Sequence, residues 1–247
     1  MVKLVGDYHT HTKYSDGRGT VEDNVRAARD KGLQEIGITD HGPNNIGVGV
    51  KSSGKYLEIK EEARIINQRY NDIKILVGAE ADIISMDGEI DVSREVIRQL
   101  DLLIVGLHPY VIPETPGDAA GFVLANQVSK ISSAVREKVI VSNTKALKEC
   151  INKYRVDIVS HPDLQMHVDI GELASECLNR NVALEINTGH HYNKENLIRE
   201  ALPTGVNFII NSDAHFPETV GELEEGIRLA ERFNIPAERI VNAGPDR

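Results

Sequence analysis

Seven short apolar runs recur along the chain, each followed by a polar or glycine-containing turn and then by a stretch with helical spacing; this alternation limits the possible folds more than any other feature. The runs cover residues 3–7, 35–39, 74–79, 101–106, 156–160, 182–186 and 206–210. Strands that alternate with helices build a parallel sheet, and seven near-regular units without a shift in composition point to a closed barrel over an open sheet. The expected fold is therefore α/β, a single domain of distorted (β/α)7, TIM-like type across residues 1–247. Helix boundaries carry named signals. Thr20 with Asp23, and Thr219 with Glu222, have capping-box spacing, Asp169 can cap the segment from Ile170, and Gly32 after Lys31 reads as a stop. Residues 119–136 and 143–153 predict two helices where one would suffice, and the glycine-rich segment 42–55 predicts a long loop after the second strand.

The chain has 247 residues, a formal charge of −10, no Trp and 4% aromatic residues. Such a surface repels a phosphate backbone and offers few rings for base stacking, so no nucleic-acid partner is expected. No apolar run approaches the roughly 18 residues that a membrane span needs, and the expectation is a cytoplasmic protein without a membrane partner. Cys150 and Cys177 are too few for a disulfide framework or a metal ribbon and read as buried thiols. Nothing in the sequence fixes the oligomeric state.

The histidines do not follow composition. Windows of about five residues past each strand cover roughly a seventh of the chain, yet eight of the nine histidines fall there. They are His9 and His11 after the first strand, His41 after the second, His108 after the fourth, His161 after the fifth, His190 and His191 after the sixth, and His215 after the seventh; His167 reads as structural. In a parallel barrel these positions converge on one mouth. Asp7, Asp16, Asp40, Glu80, Glu185 and Asp213 join them at the same level. Imidazoles mixed with carboxylates suit zinc, manganese or iron, and so many together suit a multinuclear site. His9 and His11, two apart on an extended strand end, project to one side, and Glu80 could bridge two ions.

The segments DYHTHTKYSDG (7–17), TDHG (39–42), GAE (78–80), GLHP (106–109), SHP (160–162), LEIN (184–187) and NSDAH (211–215) resemble, in order, the motifs of the PHP family, named for polymerase and histidinol phosphatase. TDHGPNN and GEIDV (88–92) make the chain most similar to the small stand-alone phosphatases of that family. The resemblance implies three divalent ions. His9, His11, Glu80 and Asp213 would hold the first; Glu80, His108 and His161 the second; Asp16, His41 and His215 the third. It implies hydrolysis of a small-molecule phosphate monoester by a hydroxide shared between ions. Glu80, Asp213 and His215 would act directly in the chemistry, and His190, His191, Asn187 and Lys51 are candidate substrate contacts. Three divalent ions less three carboxylates and a hydroxide leave roughly +2, the complement of a phosphate dianion. The proton donor to the leaving group stays open among His190, His191, Asp213 and a bound water. Asp7 and Asp40 are expected to orient neighbouring histidines.

Other readings carry less. A phosphodiesterase or 3′ to 5′ exonuclease would share the metal site but suits the acidic surface poorly, and a non-catalytic metal-binding module would not need all nine ligands. Amide- or lactone-cleaving barrels usually present a carbamylated Lys, and no Lys ends a strand here. Residues 49–55, GVKSSGK, have the spacing of a nucleotide-binding loop but are followed by Tyr56 where a small hydroxyl is required. Lys51 and Lys55 reach a substrate only if the 42–55 loop folds over the mouth. The charged segment 58–64 reads as a solvated helix face.

Overall fold

A computed structural model describes residues 2–244. Seven parallel strands pair in sequence order: β1 (Gly6–Asp7), β2 (Glu35–Ile38), β3 (Lys74–Asp82), β4 (Leu102–Gly106), β5 (Ile158–Val159), β6 (Ala183–Asn187) and β7 (Phe208–Asn211). The register is continuous, with Gly6 beside Glu35, Gly78 beside Leu102 and Leu184 beside Phe208. The sheet curls into a nearly closed barrel of the expected kind. A small apolar cluster of Leu102, Ile104, Ile158, Ala183 and Ile209 is separate from the larger core that includes the helix-facing side chains.

The helices bury the faces that their spacing dictates. In Val21–Asp30 the side chains of Val21, Val25 and Ala28 are fully buried at i, i+4 and i+7. Thr20 and Asp23 form the expected capping box, and Gly32 ends the helix at φ +75°. Asp169 caps Ile170–Arg180 through the Glu172 amide, and both cysteines are buried and free. Two sets of helix boundaries differ from expectation, although two helices do form between residues 116 and 153. Thr219 lies in a 3-10 turn, with its hydroxyl donating to the Phe216 carbonyl (2.9 Å), and the next helix starts only at Glu224. The 119–136 helix is π-helical over Ala119–Leu124 and stops after Ser129. Ser132 then caps a single 21-residue helix, Ser133–Lys153, which runs straight through the β-branched stretch around Val141. There, burial of Val139, Leu147 and Ile151 on one side outweighs local propensity.

The seam between β1 and β7 is bridged by the chain's last described segment. Asn242, fully buried, donates from Nδ2 to the carbonyls of Gly6 (2.8 Å) and Ile210 (2.6 Å), and its Oδ1 accepts the Ile210 amide (3.2 Å). Its own carbonyl accepts the Val5 amide (2.9 Å). Asn242→Ala strands these buried groups, at about 1–3 kcal/mol for an unmet polar group. A fall in melting temperature of roughly 5 °C is expected for a chain of this size; an unchanged melting curve would show that the seam does not depend on this side chain.

Candidate metal centre

Past the C-terminal end of β1 the chain stays extended. The Thr10 hydroxyl donates to the Gly37 carbonyl (2.7 Å), and His9 and His11 on either side of it turn into the barrel mouth. Glu80, near the end of β3, stands among the imidazoles. Its Oε2 lies 2.8 Å from His41 Nδ1, 3.3 Å from His9 Nε2 and 3.7 Å from His11 Nε2; its Oε1 lies 2.8 Å from His161 Nε2 and 3.6 Å from His108 Nε2. Asp213 Oδ1 is 3.0 Å from His11 Nε2 and 3.5 Å from His9 Nε2. Asp16 completes the outer part, 3.2 Å from His215 Nε2 and 3.9 Å from His41 Nε2. All nine candidate ligands therefore meet in one crater, and donor atoms of seven of them fall into groups compact enough for an ion: His9, His11 and Glu80; His41, Glu80 and His108; and His11, Asp16, His41 and His215. Asp213 and His161 stand outside these groups but adjoin them, 3.0 Å from His11 and 2.8 Å from Glu80.

The donor set fits cations better than it fits itself. His9 Nδ1 faces Glu185 (2.8 Å), His108 Nδ1 faces Asp82, and His215 Nδ1 faces the Asp213 carbonyl (2.9 Å). Each acceptor can take the Nδ1 proton in a hydrogen bond, which turns each Nε2 toward carboxylates or other ring nitrogens, where it would offer a lone pair to a bound ion. Burial disfavours charge on His9, His108 and His215, yet the facing carboxylates raise all three above the usual imidazole range. His41 Nδ1 and Glu80 Oε2 are buried without a hydrogen-bond partner although 2.8 Å apart, as is His11 Nδ1. Lone pairs and carboxylates turned toward one another are reconciled by shared positive ions.

Burial and charge act strongly here. Burial and the neighbouring His41 charge push His11 down to about 3, which leaves it neutral and able to ligate. Burial disfavours charge on His41, but Glu80 overrides this and raises it to about 9. Glu80 is held well below the usual carboxylate range: burial opposes this, and His9, His108 and His41 prevail. Two ligand candidates also have left-handed backbones, Asp213 at φ 53° and His161 at φ 25°. Such conformations cost about 1–3 kcal/mol each and persist only when neighbours fix them. Here Glu185 Oε2 accepts the His161 amide (2.9 Å), and Asn187 Nδ2 donates to both Glu185 and Asp213 (2.9 Å each). Gly106 leaves room for the group, since a Cβ there would stand 2.6 Å from Ser160 Oγ and 3.3 Å from Glu80 Oε1.

The substrate-contact candidates separate. His190 is partly exposed at the crater edge, with Nε2 3.1 Å from Asp213 Oδ2 and its ring edge-on to His161. His191 is exposed and outside the cluster. Asn187 is fully buried, and its Oδ1 accepts the His190 amide (3.0 Å), so its polar atoms are occupied in holding Asp213 and the 188–190 turn. Lys51 is exposed; the preceding Val50 amide bonds the His41 carbonyl (3.1 Å), so only the Lys51 backbone is fixed beside the rim. Lys55 opens the helix Lys55–Asn67 and pairs with Glu58 (2.6 Å). Tyr56 is buried and bonds the Asp40 carbonyl (3.0 Å). His167 pairs with Asp163 away from the crater.

Asp7 and Asp40 do not orient histidine rings. Asp7 accepts from Ser212 and the Gly221 amide (2.8 Å); Asp40 accepts from the Thr12 amide (2.7 Å) and the Ser15 hydroxyl (2.6 Å), fixing the turn that carries Asp16. Glu185 and Asp82 orient rings instead. Asp82 was not selected from the sequence, yet its position two residues beyond Glu80 on a strand, facing the same side, was the available signal. Asp82→Asn is expected to lower metal affinity or turnover about 10–100-fold by freeing the His108 ring; titration of the variant with zinc, alongside kcat, checks this, and values equal to those of the parent would exclude the role.

A parallel barrel with imidazoles and carboxylates gathered around a shared crater at its C-terminal mouth defines a metal-dependent barrel enzyme. The PHP domain matches residues 7–189. The chain belongs to the PHP family of metal-dependent phosphoesterases. It is 30% identical to a "Probable phosphatase" of Caldanaerobacter subterraneus subsp. tengcongensis, with 100% of this chain and 90% of the relative covered. It is likewise 30% identical to "Probable phosphatase YcdX" of Escherichia coli K12, with 98% and 91% covered. The crystal structure of histidinol phosphate phosphatase from Lactococcus lactis, complexed with zinc, L-histidinol and phosphate, superposes with a TM-score of 0.62 at 15% identity over 94% of this chain and 95% of that one, a likeness of fold. Among the described residues no helix is long and apolar enough to cross a membrane.

Proposed function

We propose that the protein hydrolyses small phosphate monoesters at a site for three divalent ions. The observation that carries this reading is the placement of Glu80, whose two oxygens face five imidazoles from four separate strand ends. His9, His11, Glu80 and Asp213 hold the first ion, Glu80 with His108 and His161 the second, and Asp16, His41 and His215 the third. Bound divalent ions supply positive charge to the phosphoryl oxygens and lower the pKa of water.

The chain's own groups do the remainder. Glu185 and Asp82 keep the Nδ1 protons of His9 and His108 turned away, which leaves both Nε2 lone pairs for ligation. Only three carboxylates, Asp16, Glu80 and Asp213, are ligands, so three divalent ions would exceed the charge of the carboxylates that touch them and attract the oxygens of a phosphate dianion. His190, partly exposed and tied to Asp213, meets the organic part of the ester at the rim. Zinc in the complex of the Lactococcus lactis enzyme and the names of the relatives support this reading. The test is release of phosphate by metal-analysed protein from a panel of phosphorylated metabolites, run beside a nucleic-acid diester. Monoesters should be cleaved faster, and faster cleavage of the diester would overturn the assignment.

A further inference from the structure

The chain is acidic overall, yet one hollow at the N-terminal ends of β4 and β5, the end of the barrel remote from the crater, reverses that sign. Arg94, Arg98, Lys153 and Arg155 line a cavity of ≈ 350 Å³ whose floor includes Ile97 and Leu102. Arg94 and Lys153 share Glu89 (3.9 and 2.7 Å), Lys60 pairs with Asp101 (2.8 Å), and Asp157 accepts the Leu103 amide (2.8 Å). Five cations against three carboxylates leave two positive charges. Neither Arg98 nor Arg155 has an ion-pair partner among the described residues. The C-terminal dipole of the helix Ser133–Lys153 accounts for cations at Lys153 and Arg155, but Arg94 and Arg98 come from a different element. A second cavity of ≈ 270 Å³ shares Leu102 and Asp157 with the first and is lined by Ile158, Ala183 and Ile209 of the small apolar cluster. Glu35 at its edge is already engaged by Tyr8 and by Lys74 (3.5 Å).

We propose that this end of the barrel is a second ligand site, which takes a small organic dianion with its head between Arg98 and Arg155 and its apolar body in the barrel's lower mouth. Guanidinium groups suit phosphate, phosphonate or carboxylate oxygens and tolerate partial desolvation better than ammonium groups. The volumes fit a compact metabolite, near the lower bound of roughly 300–1,000 Å³ for ligand sites. The proposal stands independently of the phosphoesterase reading, because none of these residues reaches the crater.

Phenylphosphonate is the probe, since its carbon–phosphorus bond resists hydrolysis. Titration calorimetry of the metal-loaded protein is expected to show one more bound equivalent in the parent than in the Arg98→Glu, Arg155→Glu double variant. Equal stoichiometry in the two proteins overturns the site. Both side chains are exposed, so the variant should fold; if its melting curve says otherwise, the Arg98→Ala, Arg155→Ala pair gives the same comparison. Methylphosphonate, which has the head without the body, should bind this site at least ~10-fold more weakly because it buries little apolar area. Equal affinities would remove the apolar half of the proposal.

Discussion

Glu80→Ala should lose at least ~10³-fold in kcat/KM, about 4 kcal/mol of transition-state stabilisation, while the barrel remains folded. The size of the effect follows from geometry. Both carboxylate oxygens are buried among imidazoles, so one truncation removes the contact proposed to be shared by two ions and leaves His9, His41 and His161 facing each other. The fold should survive because the β3 backbone carries the structural load: residue 80 pairs with Ile104, and its amide donates to the carbonyls of Thr39 and Asp40 (3.1 Å each). Circular dichroism, metal analysis and steady-state phosphate release on the same preparation separate the two effects. Near-normal turnover in a folded Glu80→Ala protein would remove the proposed mechanism.

Chelation is expected to abolish phosphate release and to lower the melting temperature, and zinc, manganese or iron should restore both. The stability effect is the more diagnostic, because it does not depend on having chosen the right substrate. Ions at about 100 times their dissociation constant stabilise the folded state by about 2.7 kcal/mol, which for a chain of this length corresponds to roughly 5–10 °C. The direction follows from the crater: Glu80 and Asp213 are fully or nearly fully buried, and the Nε2 atoms of His9 and His108 face Glu80 while that of His215 faces Asp16, an arrangement that bound cations would hold together. A melting curve indifferent to chelator and to added metal would show that protein groups alone satisfy the site.

The candidate ligands were legible because metal chemistry restricts residue type and the barrel restricts place; histidine just past a strand is a rare coincidence once and a pattern at the ends of six strands out of seven. Asp82 and Asn187 were less legible as supporting groups. Carboxylates and amides that hold a ring or a turn can come from many positions, and Asp7 and Asp40, equally near the mouth, bind hydroxyls and amides instead of rings. Helix limits failed where local signals competed with packing, as at Thr219 and in the long helix ending at Lys153. Asn242 was invisible to pattern reading, since its partners lie as far as 236 positions away.

That last distance has a bearing on synthesis. Residues at the start of the chain meet those near its end across the seam, and Asp213 and His215 must arrive before His11 and Asp16 have their neighbours. A partly translated polypeptide emerging from the ribosome can therefore assemble the middle of the sheet but not the crater. Such long-range pairings form late and slowly, so the group of His11, Asp16, His41 and His215 closes only with the seam, whereas His41, Glu80 and His108 already meet within the middle of the sheet.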